Sequence, residues 1–235
     1  MKYWLLSAAV LATLTGCFAT IGDSTSRAVQ QHMHQVIPAA QLRVLRIENV
    51  SGTIDITGTN APVATLDITK FAGHQDAIDD TEVVVSRSAE EVDAHTHYQS
   101  SGWFGNPRAG VDYKVSVPAR VAIHVANVSG PVTIRGVSAN VEIQEVSGAI
   151  DASLGRVGDE RDIRINTVSG GTKLAVARNS DVTVDVKTVS GSVNGFFSMD
   201  VNKGFVGETA HGRIGNGSAT INVNAVSGSV DVIPQ

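Results

Sequence analysis

The sequence predicts an all-β fold, a parallel β-helix or solenoid of stacked coils. Three observations carry that expectation. Val-Ser-Gly occurs six times, placing Ser51, Ser129, Ser147, Ser169, Ser190 and Ser227 before Gly52, Gly130, Gly148, Gly170, Gly191 and Gly228. Apolar residues alternate with others on both sides of every copy, the period of a strand with one buried face. Aromatic residues make up only 5% of the 235-residue chain, which holds 23 glycines. That composition suits short β-branched strands joined by tight turns.

The first element is the N-terminal segment "MKYWLLSAAVLATLTGC". Lys2 precedes an apolar run from Leu5 to Leu14 that is too short to span a bilayer. Leu14, Thr15, Gly16 and Cys17 resemble the lipobox of bacterial lipoproteins. The resemblance implies cleavage before Cys17 and acylation of its thiol, and two or more acyl chains make anchoring stable. Phe18 rather than Asp follows the cysteine, which by similarity to Gram-negative sorting implies the outer membrane. Cys17 is the single cysteine, so an internal disulfide is excluded. The expected organisation is a signal peptide over 1–16, a lipidated tether with some helix over 17–38, and a β-solenoid domain over 39–235.

Within that domain, 39–120 reads as an N-terminal strand region and 121–235 as the stacked coils. Apart from its first copy around Val50, the coil template is missing before 120. Strand-like runs such as "VATLDITKF", "TEVVVSR" and "VDAHTHYQ" stand in its place. These suit hairpins that cover the end of a solenoid, where an open edge would otherwise invite pairing. The loop "SSGWFGNPRAG" at 100–110 carries Trp103 and Phe104. It reads either as a partner-binding tip or, by the usual burial of aromatic rings, as a loop folded back on the core.

The coils follow the template apolar-x-apolar-x-x-Val-Ser-Gly-x-apolar-x-apolar. Around Val146, for example, the residues read as inward are Val141, Ile143, Val146, Ile150 and Ala152. The extra residue before Val breaks the alternation as a corner or bulge does. Gly supplies a backbone conformation that other residues resist, and Ser bonds turn backbone. The serines from Ser129 to Ser190 are spaced by 18, 22 and 21 residues, with "AHGRI" at 210–214 as a degenerate copy centred on His211. "VSA" at 137–139 marks a half-step nine residues from the sites on either side. Each coil of about 20 residues therefore holds two strands and two corners. Stacking in chain order would set Glu142, Arg164 and Asp185 on neighbouring rungs, and likewise Asp151, Lys173 and Asn194. Opposite charges then meet, and Lys173 argues against a calcium-binding repeat. The bias of crossover connections predicts a right-handed coil.

The run "VDYKVSVPARVAIHVANVSGPVTIRGV", followed by "VEIQEVSGAI" and "IRINTVSGGTKL", resembles the bacterial putative-adhesin family of β-strand repeats, also called toast-rack domains. The resemblance extends over roughly 40–235. It implies a parallel β-solenoid, an envelope location and no established chemistry. Some members of that family sit beside envelope-stress signalling proteins, which implies a second functional reading.

The formal net charge of −5 gives no support to nucleic-acid binding. No nucleophile elbow, Walker loop or zincin motif occurs. His95 and His97 share a strand face and are weak metal candidates beside Asp93, Glu90 and Glu91, but spacing fixes no third ligand. His32 and His34 form a second such pair. The "NVS" at 49–51 and 127–129 fits a glycosylation acceptor but is read as a corner. A β-helix polysaccharide lyase, a less favoured alternative, would need a basic residue poised over a carboxylate-lined groove, whereas the charged residues that can be placed pair across rungs and the coils are short. The leading expectation is a non-enzymatic, cofactor-free envelope lipoprotein, an adhesin-like binding or structural module. Its partners would be a membrane, through the lipid, and an envelope protein or polysaccharide. The alternative is an envelope-stress or signalling accessory of the same fold.

Overall fold

Alternating apolar side chains give two sheets, each lending one face to a shared core. The computed structural model describes residues 27–99, 109–204 and 207–235. In chain order the strands are β1 (Val29–Pro38), β2 (Val44–Ser51), β3 (Ile54–Thr59) and β4 (Val63–Ala72), then helix α1 (Gln75–Asp79). There follow β5 (Thr81–Arg87), β6 (Glu91–Tyr98), β7 (Ala109–Pro118), β8 (Ala122–Ser129), β9 (Val132–Arg135), β10 (Val141–Ser147) and β11 (Ile150–Gly155). The chain ends with β12 (Asp162–Ser169), β13 (Thr172–Val176), β14 (Val182–Ser190), β15 (Val193–Gly195), β16 (Met199–Lys203), β17 (Glu208–Ile214), β18 (Ala219–Ser227) and β19 (Val230–Pro234). They build a nine-stranded sheet, β1-β4-β7-β3-β9-β11-β13-β19-β15, and a ten-stranded sheet, β16-β17-β14-β18-β12-β10-β8-β2-β6-β5. Most neighbours are parallel, the arrangement of a β-solenoid or toast-rack.

Six strand pairs repeat one local plan: β2/β3, β8/β9, β10/β11, β12/β13, β14/β15 and β18/β19. In each, the first strand lies in the ten-stranded sheet, ends at Val-Ser, and hands the chain through Gly to the nine-stranded sheet. Leu45, Ile47, Ile54 and Ile56 of the first pair are fully buried, as are Ile123, Val132 and Ile134 of the second. The half-step Val137 is buried as well, and Ser138 N–H donates to the Ala119 carbonyl at 2.7 Å. Arg161, itself buried, donates to the Val137 carbonyl at 3.1 Å and the Ala139 carbonyl at 2.9 Å, satisfying turn oxygens that would otherwise be orphaned.

The stack does not follow chain order. β18 lies between β12 and β14, and β19 between β13 and β15. The last strand pair thus fills a slot one rung in from the end. At the other end β2/β3 sits between β8/β9 and a further rung made by β6 and β7. The expected charge ladder holds for Glu142 beside Arg164 and Asp151 beside Lys173 and is corrected beyond them: Asn222 separates Arg164 from Asp185, and Asp231 separates Lys173 from Asn194. Arg164 pairs with Asp162 on its own strand, and Glu142 with His124 at 3.1 Å. Burying an aliphatic side chain contributes about 1.5–3 kcal/mol, whereas a cross-strand charge pair contributes about 0.2–1 kcal/mol. Apolar burial therefore contributes more to holding the rungs together than the charge pairs do.

Three further expectations are revised. The tether of 17–38 contains β1, which pairs antiparallel with β4 from Val29↔Ala72 to Pro38↔Val63. Its alternating Met33 and Ile37 face the core. The "AHGRI" segment is no corner: it lies in β17, antiparallel to β14 and β16, where His211 Nδ1 meets Asp185 Oδ1 at 2.7 Å. The valines of Val-Ser-Gly face outward, for the reason given below. Helix α1 packs against β1, β4 and β5. Lys70 reaches the Ile78 and Thr81 carbonyls at 3.2 and 2.8 Å, and burial holds its ammonium below the usual lysine range.

Candidate binding groove

The side of the ten-stranded sheet next to the corners carries a large concave surface. Before each Val-Ser, the residue that continues the inward alternation is Asn49, Asn127, Glu145, Thr167, Thr188 or Ala225. These are 2–5% exposed, whereas Val128, Val146, Val168, Val189 and Val226 are 44–52% exposed. The ladder shows the cause. Glu145 pairs with Thr167 and Ser147 with Ser169, while Val146 is skipped. The same skip recurs between β8 and β10 and between β14 and β18. One residue per rung is bulged, so the alternation shifts by one and Val leaves the core.

Two outward residues then flank each bulge, with a concave strip of backbone between them. In spatial order one wall is Val50, Val128, Val146, Val168, Val226 and Val189. The other is Glu48, Ala126, Gln144, Asn166, Asn224 and Lys187. Together they line a groove of about 910 Å³. Five rung spacings make it about 24 Å long. The polar wall begins with a carboxylate and ends with an ammonium. Between them Asn224 donates to Asn166 at 3.0 Å and Gln144 to Glu142 at 3.1 Å. Thr96 of β6 closes the Glu48 end, donating to Asn49 Oδ1 at 3.0 Å and lying 2.7 Å from the Tyr113 hydroxyl.

Under the floor runs a file of polar side chains. Asn127 Nδ2 donates to Glu145 Oε2 at 2.9 Å and to the Gly130 carbonyl at 3.1 Å. Glu145 Oε1, Thr167 Oγ1 and Thr188 Oγ1 are buried without a hydrogen-bond partner in the structure. Burial raises the Glu145 carboxyl above the usual range, and the Asn127 bond and the Ser147 backbone offset this only in part.

The serines and glycines singled out in the sequence form the rim. Each serine sits opposite the next along the ladder, Ser51–Ser129–Ser147–Ser169–Ser227–Ser190. The N–H groups of Gly52, Gly130, Gly148, Gly170 and Gly228 each donate to the serine carbonyl of the neighbouring rung at 3.0–3.2 Å. A Cβ on Gly170 would overlap the Gly148 carbonyl oxygen, at a φ of +131°. His95 and His97 share the outer face of β6, next to Glu48 and Glu82 in the ladder. No group of three or more His, Cys, Asp or Glu side chains able to hold a metal occurs among the described residues. Cys17, Trp103 and Phe104 lie outside the described residues. The groove itself was missed in the sequence because its apolar wall was counted as core; the exposed x position two before each Val was its only signal.

Two stacked, largely parallel sheets with a groove along the stack define a repeat-built β-scaffold. Residues 115–233 match the Toastrack DUF4097 family, and the chain belongs to that family. Among solved structures it is similar to one described as a putative cell adhesion protein from Clostridium sporogenes. The TM-score is 0.61 at 11% identity, over 88% of this chain and 100% of that one. A weaker likeness, TM-score 0.32 at 9% identity, is to one described as a putative adhesin from Bacteroides fragilis, over 86% of this chain and 97% of that one. The first likeness establishes the fold. No curated protein matches.

Proposed function

We propose that this protein is a non-enzymatic envelope lipoprotein whose groove binds an extended partner lying along the stack. The observation that carries the reading is the file of six outward valines beside an amide-bearing wall. A single exposed valine on a strand is unremarkable, but five in register, continued by the half-buried Val50, make a continuous apolar strip of the kind that marks interaction sites. Amides on the facing wall supply donors and acceptors that orient a partner without demanding one charge. Anchoring through Cys17 at the outer membrane, with residues 18–26 as the link to β1, completes the reading.

The test is capture from a detergent-solubilised envelope fraction by the full chain, with bound proteins and released saccharides both analysed. The variant Val146→Asp/Val168→Asp alters only outward residues, so it should keep its thermal midpoint and lose at least ten-fold in capture. Trp103→Ala/Phe104→Ala should capture like wild type. Capture unaffected by the aspartates rejects the groove as the site. Release of unsaturated oligosaccharides makes the protein a lyase. Groove-dependent capture of a membrane regulator makes it the signalling accessory. Cys17→Ser should abolish labelling by a radioactive fatty acid and move the protein out of the membrane fraction.

A further inference from the structure

We infer that β1 pairs with β1 of a second copy, joining two molecules end to end through their nine-stranded sheets. Among the described residues β1 is the last strand of that sheet and pairs only with β4. It is ten residues long and carries none of the features that usually blunt an edge: no Lys, no Arg, no bulge, and Pro only as its final residue. The opposite end of the stack finishes differently, in the three-residue β15 and the five-residue β16, the latter bearing Asp200 and Lys203.

The sequence of β1 suits a copy of itself. An isologous two-fold contact requires that residue i meet j while j meets i. Antiparallel pairing centred on Met33 sets His32 opposite His34 and Gln31 opposite Gln35, because "QHMHQ" reads the same in both directions. It also sets Val29 opposite Ile37, two aliphatic residues on the inward face, and Met33 opposite Met33. Met33 already packs against the core, so a second Met33 would extend that core across the junction. Outside, Val36, more than half exposed, meets Gln30. No like-charged pair is forced across the axis at neutral pH, the cost that most often forbids self-pairing.

This two-fold runs along the sheet normal. It therefore keeps both ten-stranded sheets on one side of the dimer and lays the two grooves end to end, pointing in opposite senses. The contact rests on β1 alone and is independent of what the groove binds.

Disulfide trapping tests both pairing and register. Residues directly opposed on antiparallel strands have Cα atoms about 4.5–5.5 Å apart, within disulfide reach. In the full chain carrying Cys17→Ser, in detergent, Met33→Cys should form an interchain disulfide on mild oxidation. Gln30→Cys alone and Val36→Cys alone should not, because six residues of strand separate each from its own copy by about 20 Å. Gln30→Cys/Val36→Cys together should restore it. Light scattering should give wild type a dimer mass, and each variant should still unfold in a single cooperative thermal transition. A monomer mass for wild type at about 100 μM, or cross-linking of Gln30→Cys equal to that of Met33→Cys, overturns the inference.

Discussion

Gly170 shows how closely the rungs approach. Its φ of +131° and the Gly148 carbonyl beside it leave no room for a Cβ. Gly170→Ala should destabilise by about 2–4 kcal/mol, lowering the thermal midpoint by roughly 5–15 °C. Gly73→Ala, where a Cβ meets nothing within 4 Å, should leave the midpoint nearly unchanged in the same melt. Glu145 makes the opposite case. Its carboxyl is raised by burial, so the folded state holds the proton more tightly than the unfolded chain. Its stabilising contribution is present in full below the unfolded carboxyl range and lost as pH rises through the raised value. Glu145→Gln should therefore melt above wild type at pH 7, with the difference shrinking toward zero near pH 4. The letters Val-Ser-Gly announce the corners, but residue type assigns the apolar Val146 to the core and the charged Glu145 to solvent. The bulge reverses both, and no residue type at those positions signals the shift.

At the scale of the element, strands were legible wherever apolar residues alternate, and so was the turn at 137–139. Their neighbours were not. β12, β14 and β18 carry the same apolar pattern, so any of them can stack on any other, and only the assembled rungs reveal that β18 lies between the other two. The strand β1 was hidden by composition, since Gln31, His32, His34 and Gln35 read as a polar tether until Met33 and Ile37 are seen facing the core. The interior place of the last strand pair makes a prediction. A chain ending at Ser218 should lose cooperative folding, seen as loss of a thermal transition by circular dichroism, although it lacks only the final 17 residues. A merely terminal strand would fray and leave the transition in place.

Across the whole molecule, repeat stacks usually behave as chains of nearest neighbours that can open from either end. Here both ends are tied inward: β2/β3 is clasped between β6/β7 and β8/β9, and β18/β19 between β12/β13 and β14/β15. Hydrogen exchange under increasing denaturant should therefore show amides of β10 and β14 released in one global step; earlier release of β14 alone would mean that the out-of-order rung does not couple the ends. The same threading governs when the protein can exist at all. Residues 219–234 follow in sequence every strand they lie between, yet their slot lies inside the stack. Until they arrive, β12 and β14 face each other across a missing rung. Insertion of β18/β19 is thus the moment at which the rungs lock.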